Sequence, residues 1–461
     1  MTTTADPRGA NGEPERLTLD DLLRPFVEAE TPRHGWQIGT EAEKFGVFAD
    51  GRPLPYEGPR SVRTVLDALV HRHGWSEVRE VEGGEVVALR RGRASITLEP
   101  GAQLELSGSP LDTIHQTCAE FRGHMAELRD VSAELGVTWL GLGFHPFARQ
   151  DELPWVPKLR YGVMREYLPT KGRYAHDMMR RTATVQANFD FDDEADAMSK
   201  LRVGVRLGPI VTAMFANSPW VEGAATGERT RRSRVWTSVD PDRTGLLPFL
   251  WKDDAGYRSY VEWALDAPMF MVKRHGKVVA NTGQTFRDFM DRGFEGTTAR
   301  SEDWESHLNT LFPETRLKRT LEVRQADGQG TALLCALPAL WKGVLYDERA
   351  LEAAEAMSAG FGHDELAGLQ EAVADHGLGA TLAGRPLLEW ARDVLELSEA
   401  GLARLGHLNG RGDDERIHLA PLRSLLARGQ SPADALRAQV PGGRPEVDAI
   451  IAASRISAGV V

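Results

Sequence analysis

Acidic side chains lie in three segments whose patterns predict β-strands. Glu41 and Glu43 belong to IGTEAEKFGV. The segment ITLEPGAQLEL contains Glu99 and Glu105, and TRLKRTLEVR contains Glu322. Because successive side chains of a strand point to opposite faces, Glu41 and Glu43 share one face about 7 Å apart. The three segments therefore predict rows of carboxylates presented by a sheet.

Carboxylates that would otherwise repel one another are a common way to hold a hard cation such as Mg²⁺ beside phosphate groups. On any single strand, the simpler interpretation is that the acidic side chains face the solvent. Each of the three segments, however, sets its acids among apolar residues that would be buried. Three such strands favour a shared metal site.

Positive charge is concentrated locally as well. Arg231, Arg232 and Arg234 fall within GERTRRSR, and Lys158 belongs to a basic and aromatic stretch from about residue 155 to 185. Arginine forks bind carboxylate or phosphate groups through two parallel hydrogen bonds, although a run of charge is often only a solvated loop. Arginines combined with acid-bound Mg²⁺ would suit the ATP-dependent activation of a carboxylate.

Composition excludes several classes of protein. The chain has 461 residues with 55 Lys and Arg against 67 Asp and Glu, a net charge of −12. That sign argues against a nucleic-acid binder, which needs surplus cations. No apolar run reaches the roughly 18 residues of a membrane span, and the N-terminus lacks the apolar core of a signal peptide, so a cytoplasmic protein is predicted. The two cysteines, Cys118 and Cys335, are too few for a disulfide scaffold.

Familiar catalytic motifs are missing. The sequence has no phosphate-binding G-x-x-x-x-G-K-[ST] loop and no H-E-x-x-H pair, and Pro146 interrupts the only candidate dinucleotide fingerprint. His115, Cys118 and His124 share one predicted helix, but the sequence offers no fourth ligand for a zinc site there. ATP binding would therefore require a less common fold.

The pattern along the chain predicts three regions. Residues 1–17 are rich in Gly, Pro and charge and predict a mobile tail. Residues 18–345 mix strands and helices and predict the catalytic domain, with one continuous strand over 315–328. Residues 346–461 have the Ala-, Leu- and Glu-rich spacing of amphipathic helices, which predicts a helical region packed on that domain.

The ordered segments of this chain resemble the plant-type glutamate–cysteine ligases, a group with many bacterial members. The resemblance runs from about residue 36 to the C-terminus and rests on GTEAEKFG, SITLEPGAQLELSG, IHQTCAE, RYGVMREYLP, DMMRRTATVQANFDF, FANSPWVEG, DRTGLLPF, DWESHLNTLFPETRLKRTLEVRQADG and LCALPALW. It implies that ATP phosphorylates the γ-carboxylate of L-glutamate and that the amine of L-cysteine then attacks. The products would be γ-glutamylcysteine, ADP and phosphate, in the first step of glutathione synthesis.

The same resemblance implies an α+β fold. Its curved, mostly antiparallel sheet would hold the active site on the concave face, as in the catalytic architecture of glutamine synthetase, with helices packed around it. Two or three Mg²⁺ ions would bind, with ATP as co-substrate. The implied Mg²⁺ ligands are Glu41, Glu43, Glu99, Glu105, Gln186 and Glu322. Arg232 would clamp glutamate, with Met178, Thr184 and Arg234 at the substrate and Lys318 and Arg324 at ATP. Which of Arg231, Arg232 and Arg234 clamps glutamate stays open.

The resemblance also implies a disulfide between Cys118 and Cys335, because these positions match a cysteine pair that the family bridges. Plant enzymes carry a second pair in the segment matching NTGQTFRDFMDRGFEG, where Asn281 and its neighbours offer none. Redox control of activity would therefore depend on one pair.

Two alternatives remain at this stage. A related carboxylate–amine ligase would keep ATP and metal but use another amine, or serve another thiol pathway such as ergothioneine synthesis. A catalytically inactive homologue would bind ligands only, but the full acidic set argues against it. The expected partners are the small molecules L-glutamate, L-cysteine and ATP, with no nucleic acid and no membrane, on a monomer or homodimer.

Overall fold

The computed structural model describes residues 16–274 and 277–457. Most of the predicted N-terminal tail, residues 1–15, lies outside the described residues. The strands are β1 Ile38–Val47, β2 Ser76–Arg79, β3 Val86–Arg91, β4 Ala94–Leu98, β5 Leu104–Ser107, β6 Thr138–Leu140, β7 Val185–Phe189, β8 Trp220–Val221, β9 Ala224–Ala225, β10 Thr244–Gly245, β11 Met271–Arg274, β12 Lys277–Ala280, β13 Phe312–Pro313, β14 Thr315–Leu317, β15 Leu321–Val323, β16 Thr381–Leu382 and β17 Arg385–Pro386.

Helices cover much of the rest of the described chain. They are α1 Leu19–Val27, α2 Val62–His73, α3 Ile114–Ala133, α4 Leu159–Tyr167, α5 Ala175–Arg181, α6 Glu194–Arg206, α7 Gly208–Met214, α8 Arg231–Trp236, α9 Tyr257–Asp266, α10 Phe286–Arg292, α11 Ser301–Leu308, α12 Ala336–Leu345, α13 Glu348–Ser358, α14 His363–His376, α15 Leu387–Leu405, α16 Ala420–Ala427, α17 Pro432–Gln439 and α18 Val447–Ser454. Among the described residues, no helix is both long and apolar enough to cross a membrane.

The centre of the molecule is a sheet in the order β14-β15-β7-β1-β5-β4-β3-β2, with β6 beside the far end of β1. Every neighbouring pair in this sheet is antiparallel. The antiparallel α+β class predicted for the chain is confirmed. Strand β1 lies at the centre, with β5 on one side and β7 on the other, so its side chains meet those of both neighbours.

The two faces of β1 carry different chemistry. Glu41 and Glu43 lie on one face, and Lys44 lies on the other, where its Nζ is 3.3 Å from Nε2 of His124 in α3. Helix α3 therefore packs on the face of the sheet opposite the two carboxylates, and α12 packs against β1 and β7.

The strand predicted over residues 315–328 is wrong: the chain folds there into an antiparallel hairpin of β14 and β15. Residues 318–320 form the turn, and Arg316 pairs with Glu322 across the hairpin. The turn has no Gly or Pro, and the apolar alternation resumes in phase after it, so the period of two continues through the break. Lys318 and Glu322 consequently lie on different sides of a turn rather than along one strand.

The C-terminal helices share one apolar core with the rest of the chain. Leu340 of α12 and Val394 of α15 belong to the same cluster of buried residues as Ile38 of β1, and α12 packs along α15. A disulfide between Cys118 of α3 and Cys335 at the start of α12 links residues 217 positions apart. The division of the chain at residue 345 stays a prediction.

Candidate active site

Strand pairing brings the predicted carboxylates together. Glu43 of β1 lies directly opposite Glu105 of β5, and Glu41 lies opposite Gln186 of β7. Glu99 enters from the turn that follows β4. These side chains face a cavity of about 500 Å³. Of the predicted site residues, the cavity is lined by Glu41, Glu43, Glu99, Glu105, Met178, Thr184, Gln186, Arg232, Lys318 and Arg324.

The turn that carries Glu99 is held by the side chain of Gln103. Its amide oxygen accepts from the backbone N–H of Gly101 at 2.9 Å, and its amide nitrogen donates to the carbonyl of Thr182 at 2.8 Å. Residue 101 must be glycine because a Cβ there would collide with the backbone of Arg180. The turn is thereby fixed against the segment that leads into β7, which places Glu99 at the cavity.

Burial and mutual repulsion dominate the electrostatics of the acidic cluster. Burial, reinforced by Glu322 and Glu105, raises the pKa of Glu41 to about 8. The pKa of Glu43 is raised well above its usual range by burial and by Glu99 and Glu105. Burial and Glu99 also raise the pKa of Glu105. A nearby positive charge would therefore strongly stabilise the ionised carboxylates of the cluster.

The cluster fits a hard divalent cation by the chemistry of its donors, which are all oxygens when Gln186 contributes its amide carbonyl. Among the described residues, no three carboxylates bring ligand oxygens within 4.8 Å of one another. A bound Mg²⁺ would offset the mutual repulsion of the carboxylates with positive charge.

Glu322 is enclosed by three cations. Arg316 donates three hydrogen bonds to it at 2.7, 2.9 and 3.1 Å, Lys318 lies at 3.2 Å, and Arg324 also contacts it. Burial alone would raise the pKa of Glu322, but Arg316, Lys318 and Arg324 hold that pKa well below its usual range. Glu322 does not line the cavity, so its predicted role as a metal ligand requires one of these cations to release an oxygen.

Arg232 lies at the start of α8, buried beside the cavity. Its guanidinium donates to the carbonyls of Arg324 at 2.9 Å and Gln325 at 3.3 Å. The helix start is fixed by Asp327, whose carboxylate accepts from the hydroxyls of Ser218 at 2.7 Å and Thr230 at 2.9 Å. This buried network holds the guanidinium of Arg232 beside the acidic cluster.

The neighbouring arginines point elsewhere. Arg234 was predicted at the substrate, but the structure does not bring it to the cavity: its guanidinium pairs with Glu228 at 3.2 Å and with Asp375 of α14 at 2.6 Å. Arg231 also pairs with Glu228. Because each residue of an α-helix turns about 100° from the last, only Arg232 of this run faces the cavity.

Several lining residues were given no role from the sequence. Lys158 at the start of α4 is buried with its Nζ donating to the carbonyl of Leu98 at 2.7 Å, and burial and Arg160 lower its pKa to about 8. The hydroxyl of Tyr161 lies 3.4 Å from Glu99. The basic and aromatic segment KLRY contains both residues, but the sequence did not show which of its side chains would face the cavity. Arg316 was given no role because it meets Glu322 only across the hairpin, which the sequence pattern did not predict.

Known proteins similar to this chain were found by sequence and by structure. A family model described as glutamate–cysteine ligase family 2 matches residues 37–453. The chain is 42% identical over 426 residues to glutamate–cysteine ligase B, chloroplastic, of Oryza sativa subsp. japonica, which covers 92% of this chain and 84% of that protein. It is 43% identical over 421 residues to the chloroplastic glutamate–cysteine ligase of Brassica juncea, with 89% and 81% covered.

Two crystal structures share the fold at low sequence identity. A glutamate–cysteine ligase from Francisella tularensis, in complex with AMP, has a TM-score of 0.56 at 14% identity and covers 91% of this chain and 87% of that one. A bifunctional glutathione synthetase from Pasteurella multocida has a TM-score of 0.53 at 14% identity and covers 91% and 51%. At this identity the likeness establishes the fold alone.

Proposed function

The chain belongs to glutamate–cysteine ligase family 2, and we propose that its acidic cavity joins L-glutamate to L-cysteine with ATP as the phosphoryl donor. The reaction forms γ-glutamylcysteine, ADP and phosphate, the first step of glutathione synthesis. The observation that carries this proposal is the cavity itself, where Glu43 and Glu105 face each other beside Arg232 and Lys158. Such a set of opposed charges suits two anionic substrates and the metal that joins them.

The main task of the site is to hold two anions in line. Attack by the γ-carboxylate on the terminal phosphorus of ATP gives γ-glutamyl phosphate and ADP, and attack by the cysteine amine then releases phosphate. Catalysis of such transfers depends on positioning and charge stabilisation. Arg232 would bind the α-carboxylate of glutamate, with Thr184 and Met178 beside it. Arg324 and Lys318 would meet phosphate oxygens.

The residues that would hold Mg²⁺ are Glu41, Glu43, Glu99, Glu105, Gln186 and Glu322. Two or three bound Mg²⁺ ions would neutralise phosphate charge and polarise the phosphoryl group. Ion binding would also keep the cluster deprotonated, because positive charge favours the ionised carboxylates that burial and mutual repulsion disfavour. The cytoplasmic location and the state of a monomer or homodimer stay predictions.

The proposal is tested by ATP-dependent phosphate release with L-glutamate, with and without L-cysteine, followed by the mass of the product. We expect release that depends on both amino acids and a product with the mass of γ-glutamylcysteine. A panel of other amines replaces cysteine in parallel. Faster turnover with another amine would identify a related ligase instead, and nucleotide binding without turnover in any mixture would identify an inactive homologue.

A further inference from the structure

A second cluster of metal-ligating groups lies on the side of the sheet opposite the carboxylates. Cys118 of α3, Cys335 at the start of α12 and His418 in the 3₁₀ helix Glu415–Leu419 are all buried. One ligand atom from each of the three lies within 4.8 Å of the others. In the sequence, Cys118 shares a predicted helix with His115 and His124 without a fourth ligand, because Cys335 and His418 come from distant parts of the chain.

Hydrogen bonding fixes which nitrogen of His418 faces the sulfur. The carbonyl oxygen of His407 can only accept, so Nε2 of His115, at 3.3 Å, carries its hydrogen. In the tautomer that this contact selects, Nδ1 of His115 accepts from Nε2–H of His418 at 2.9 Å. The ring of His418 is buried between His115 and the disulfide. Its remaining lone pair, on Nδ1, points to Sγ of Cys118 at 3.3 Å.

Among the described residues nothing donates to that lone pair while the cysteines are joined, since a disulfide sulfur carries no hydrogen. A buried acceptor left without a partner is unfavourable. The reduced protein could satisfy it in two ways, with the thiol hydrogen of Cys118 or with a metal ion. A histidine that donates its second ring N–H to a fixed acceptor is the usual arrangement of a metal ligand.

The distances match those of a tetrahedral zinc site. With Zn–S near 2.3 Å and Zn–N near 2.1 Å, a sulfur and a nitrogen on one ion lie about 3.5 Å apart, against the observed 3.3 Å between Cys118 and His418. Two sulfurs on one ion lie about 3.8 Å apart, a separation that side-chain rotation reaches from Cα atoms 5.8 Å apart. Zinc binding would therefore require little movement of the histidine. The two sulfurs would only have to move apart once the disulfide is reduced.

We propose that the reduced protein binds one Zn²⁺ through Cys118, Cys335 and His418, and that the disulfide closes this site. A dithiol or phosphine reductant supplies two electrons, and the two sulfurs take up two protons as the S–S bond breaks. Zn²⁺ then displaces both thiol protons and forms two Zn–S bonds and one Zn–N bond, leaving the fourth position to water. The bound ion joins the same elements, α3 and α12, that the disulfide joins. This inference does not depend on the proposed ligase reaction.

The test uses Co²⁺ as a spectroscopic substitute for Zn²⁺ on the full chain, oxidised or reduced with a phosphine that is then removed. A thiolate–Co²⁺ bond gives a near-ultraviolet charge-transfer band that Co²⁺ bound only by glutamates lacks, so the acidic cavity does not interfere. We expect the band at one ion per reduced chain, its loss on adding Zn²⁺, and no band in the oxidised protein. A reduced protein without the band would overturn the proposal and leave the pair a simple dithiol.

Variants separate ligation from chance binding to thiols. Cys335→Ser and His418→Gln should each lose the band or shift it, whereas His71→Gln, at an exposed position of α2, should not. His115→Leu removes the acceptor behind the ligand and should weaken Co²⁺ binding by about 10–100-fold. A band of equal affinity in the wild type and in His418→Gln would refute histidine ligation, and circular dichroism of each oxidised or metal-free variant checks that it folds.

Discussion

At the scale of single residues, the carboxylates that would bind a cation in the acidic cavity also repel one another when no cation is bound. The side chain of Glu105 is buried, and its pKa is raised by burial and by Glu99. A neutral amide at that position would relieve repulsion in the metal-free protein, yet it would weaken cation binding. Activity and stability should therefore respond in opposite directions.

We predict that Glu105→Gln lowers ligase turnover by about 100-fold or more, the scale of losing charge stabilisation in a preorganised site. The unfolding midpoint in the presence of a chelator should stay equal or rise, because a buried negative charge is removed. Steady-state kinetics and urea unfolding measure the two quantities, with Glu82→Gln, at an exposed position, as the control. Near wild-type turnover at limiting Mg²⁺ would remove Glu105 from the metal site.

Arg232 and Arg234 provide a matched pair for the glutamate clamp. Arg232→Ala should lower kcat/KM for glutamate by about 2–4 kcal/mol, the scale of one charged, desolvated anchor. Arg234→Ala should change it little, because that guanidinium pairs with Glu228 and Asp375 outside the cavity. Equal losses in the ATP and glutamate dependences would instead place Arg232 at phosphate, and a larger loss in Arg234→Ala would reverse the two roles.

The positions of the cavity glutamates could be anticipated because strand alternation is a local rule. Glu41 and Glu43 share a face whatever the strand pairs with. The pairing of Glu322 with Arg316 could not be anticipated, because it depends on a tight turn without Gly or Pro. The direction of Arg234 depends on Asp375, a partner 141 positions away. Local patterns therefore identified the acids better than their counter-ions.

At the scale of elements, the pattern distinguished strands from helices but did not locate every turn. In β1 the apolar frame and the alternation agreed with the observed strand. In the β14–β15 hairpin the same period continued through residues 318–320, so the signal for one strand and for two was identical. The turn affects the site because it brings Nζ of Lys318 within 3.2 Å of the Glu322 carboxylate.

Helix α11 contains a titratable group that should give stability a defined pH dependence. His307 is buried, and its Nε2 donates to the carbonyl of Ala264 at 2.8 Å. Burial lowers its pKa to about 3, against about 6.5 in an unfolded chain. A depressed pKa means that the stabilisation is present above pH 6.5 and is lost as the pH falls towards 3.

We predict that His307 alone lowers the free energy of unfolding by about 2 kcal/mol between pH 7.5 and pH 5. The unfolded chain takes up a proton in that window and the folded chain does not. Urea unfolding at both values should show a smaller decrease in His307→Gln than in the wild type. The same pH dependence in His307→Gln and in the wild type would mean that this ring takes up a proton in the folded protein as it does in the unfolded chain. His71→Gln, at an exposed position, is the control.

At the scale of the whole molecule, the C-terminal helices and the central sheet share one apolar core, and a disulfide joins α3 to the start of α12. The helical nature of residues 346–461 could be predicted from amphipathic spacing, but their continuity with the core around Ile38 could not. The pairing of Cys118 with Cys335 came from a resemblance and is present in the structure. Its effect on activity stays a prediction.

Reduction of the disulfide should lower the free energy of unfolding by about 5 kcal/mol in the chain-entropy model, because the link closes a long loop. Urea unfolding with and without dithiothreitol, in the presence of a chelator, measures this loss. Turnover under the same conditions shows whether the link modulates catalysis. Cys118→Ser should resemble the reduced wild type and ignore the reductant. A reductant that changes neither stability nor turnover of the wild type would make the link inert.

In the proposed reaction, one cavity activates the γ-carboxylate of glutamate as an acyl phosphate and transfers the γ-glutamyl group to cysteine. The direct measurement uses L-glutamate labelled with ¹⁸O in both γ-carboxylate oxygens, together with ATP and L-cysteine. One labelled oxygen should appear in each phosphate released, and the other should remain in the amide of γ-glutamylcysteine. Formation of the dipeptide with unlabelled phosphate would contradict the acyl phosphate route, and labelled phosphate without the dipeptide would contradict cysteine as the acceptor.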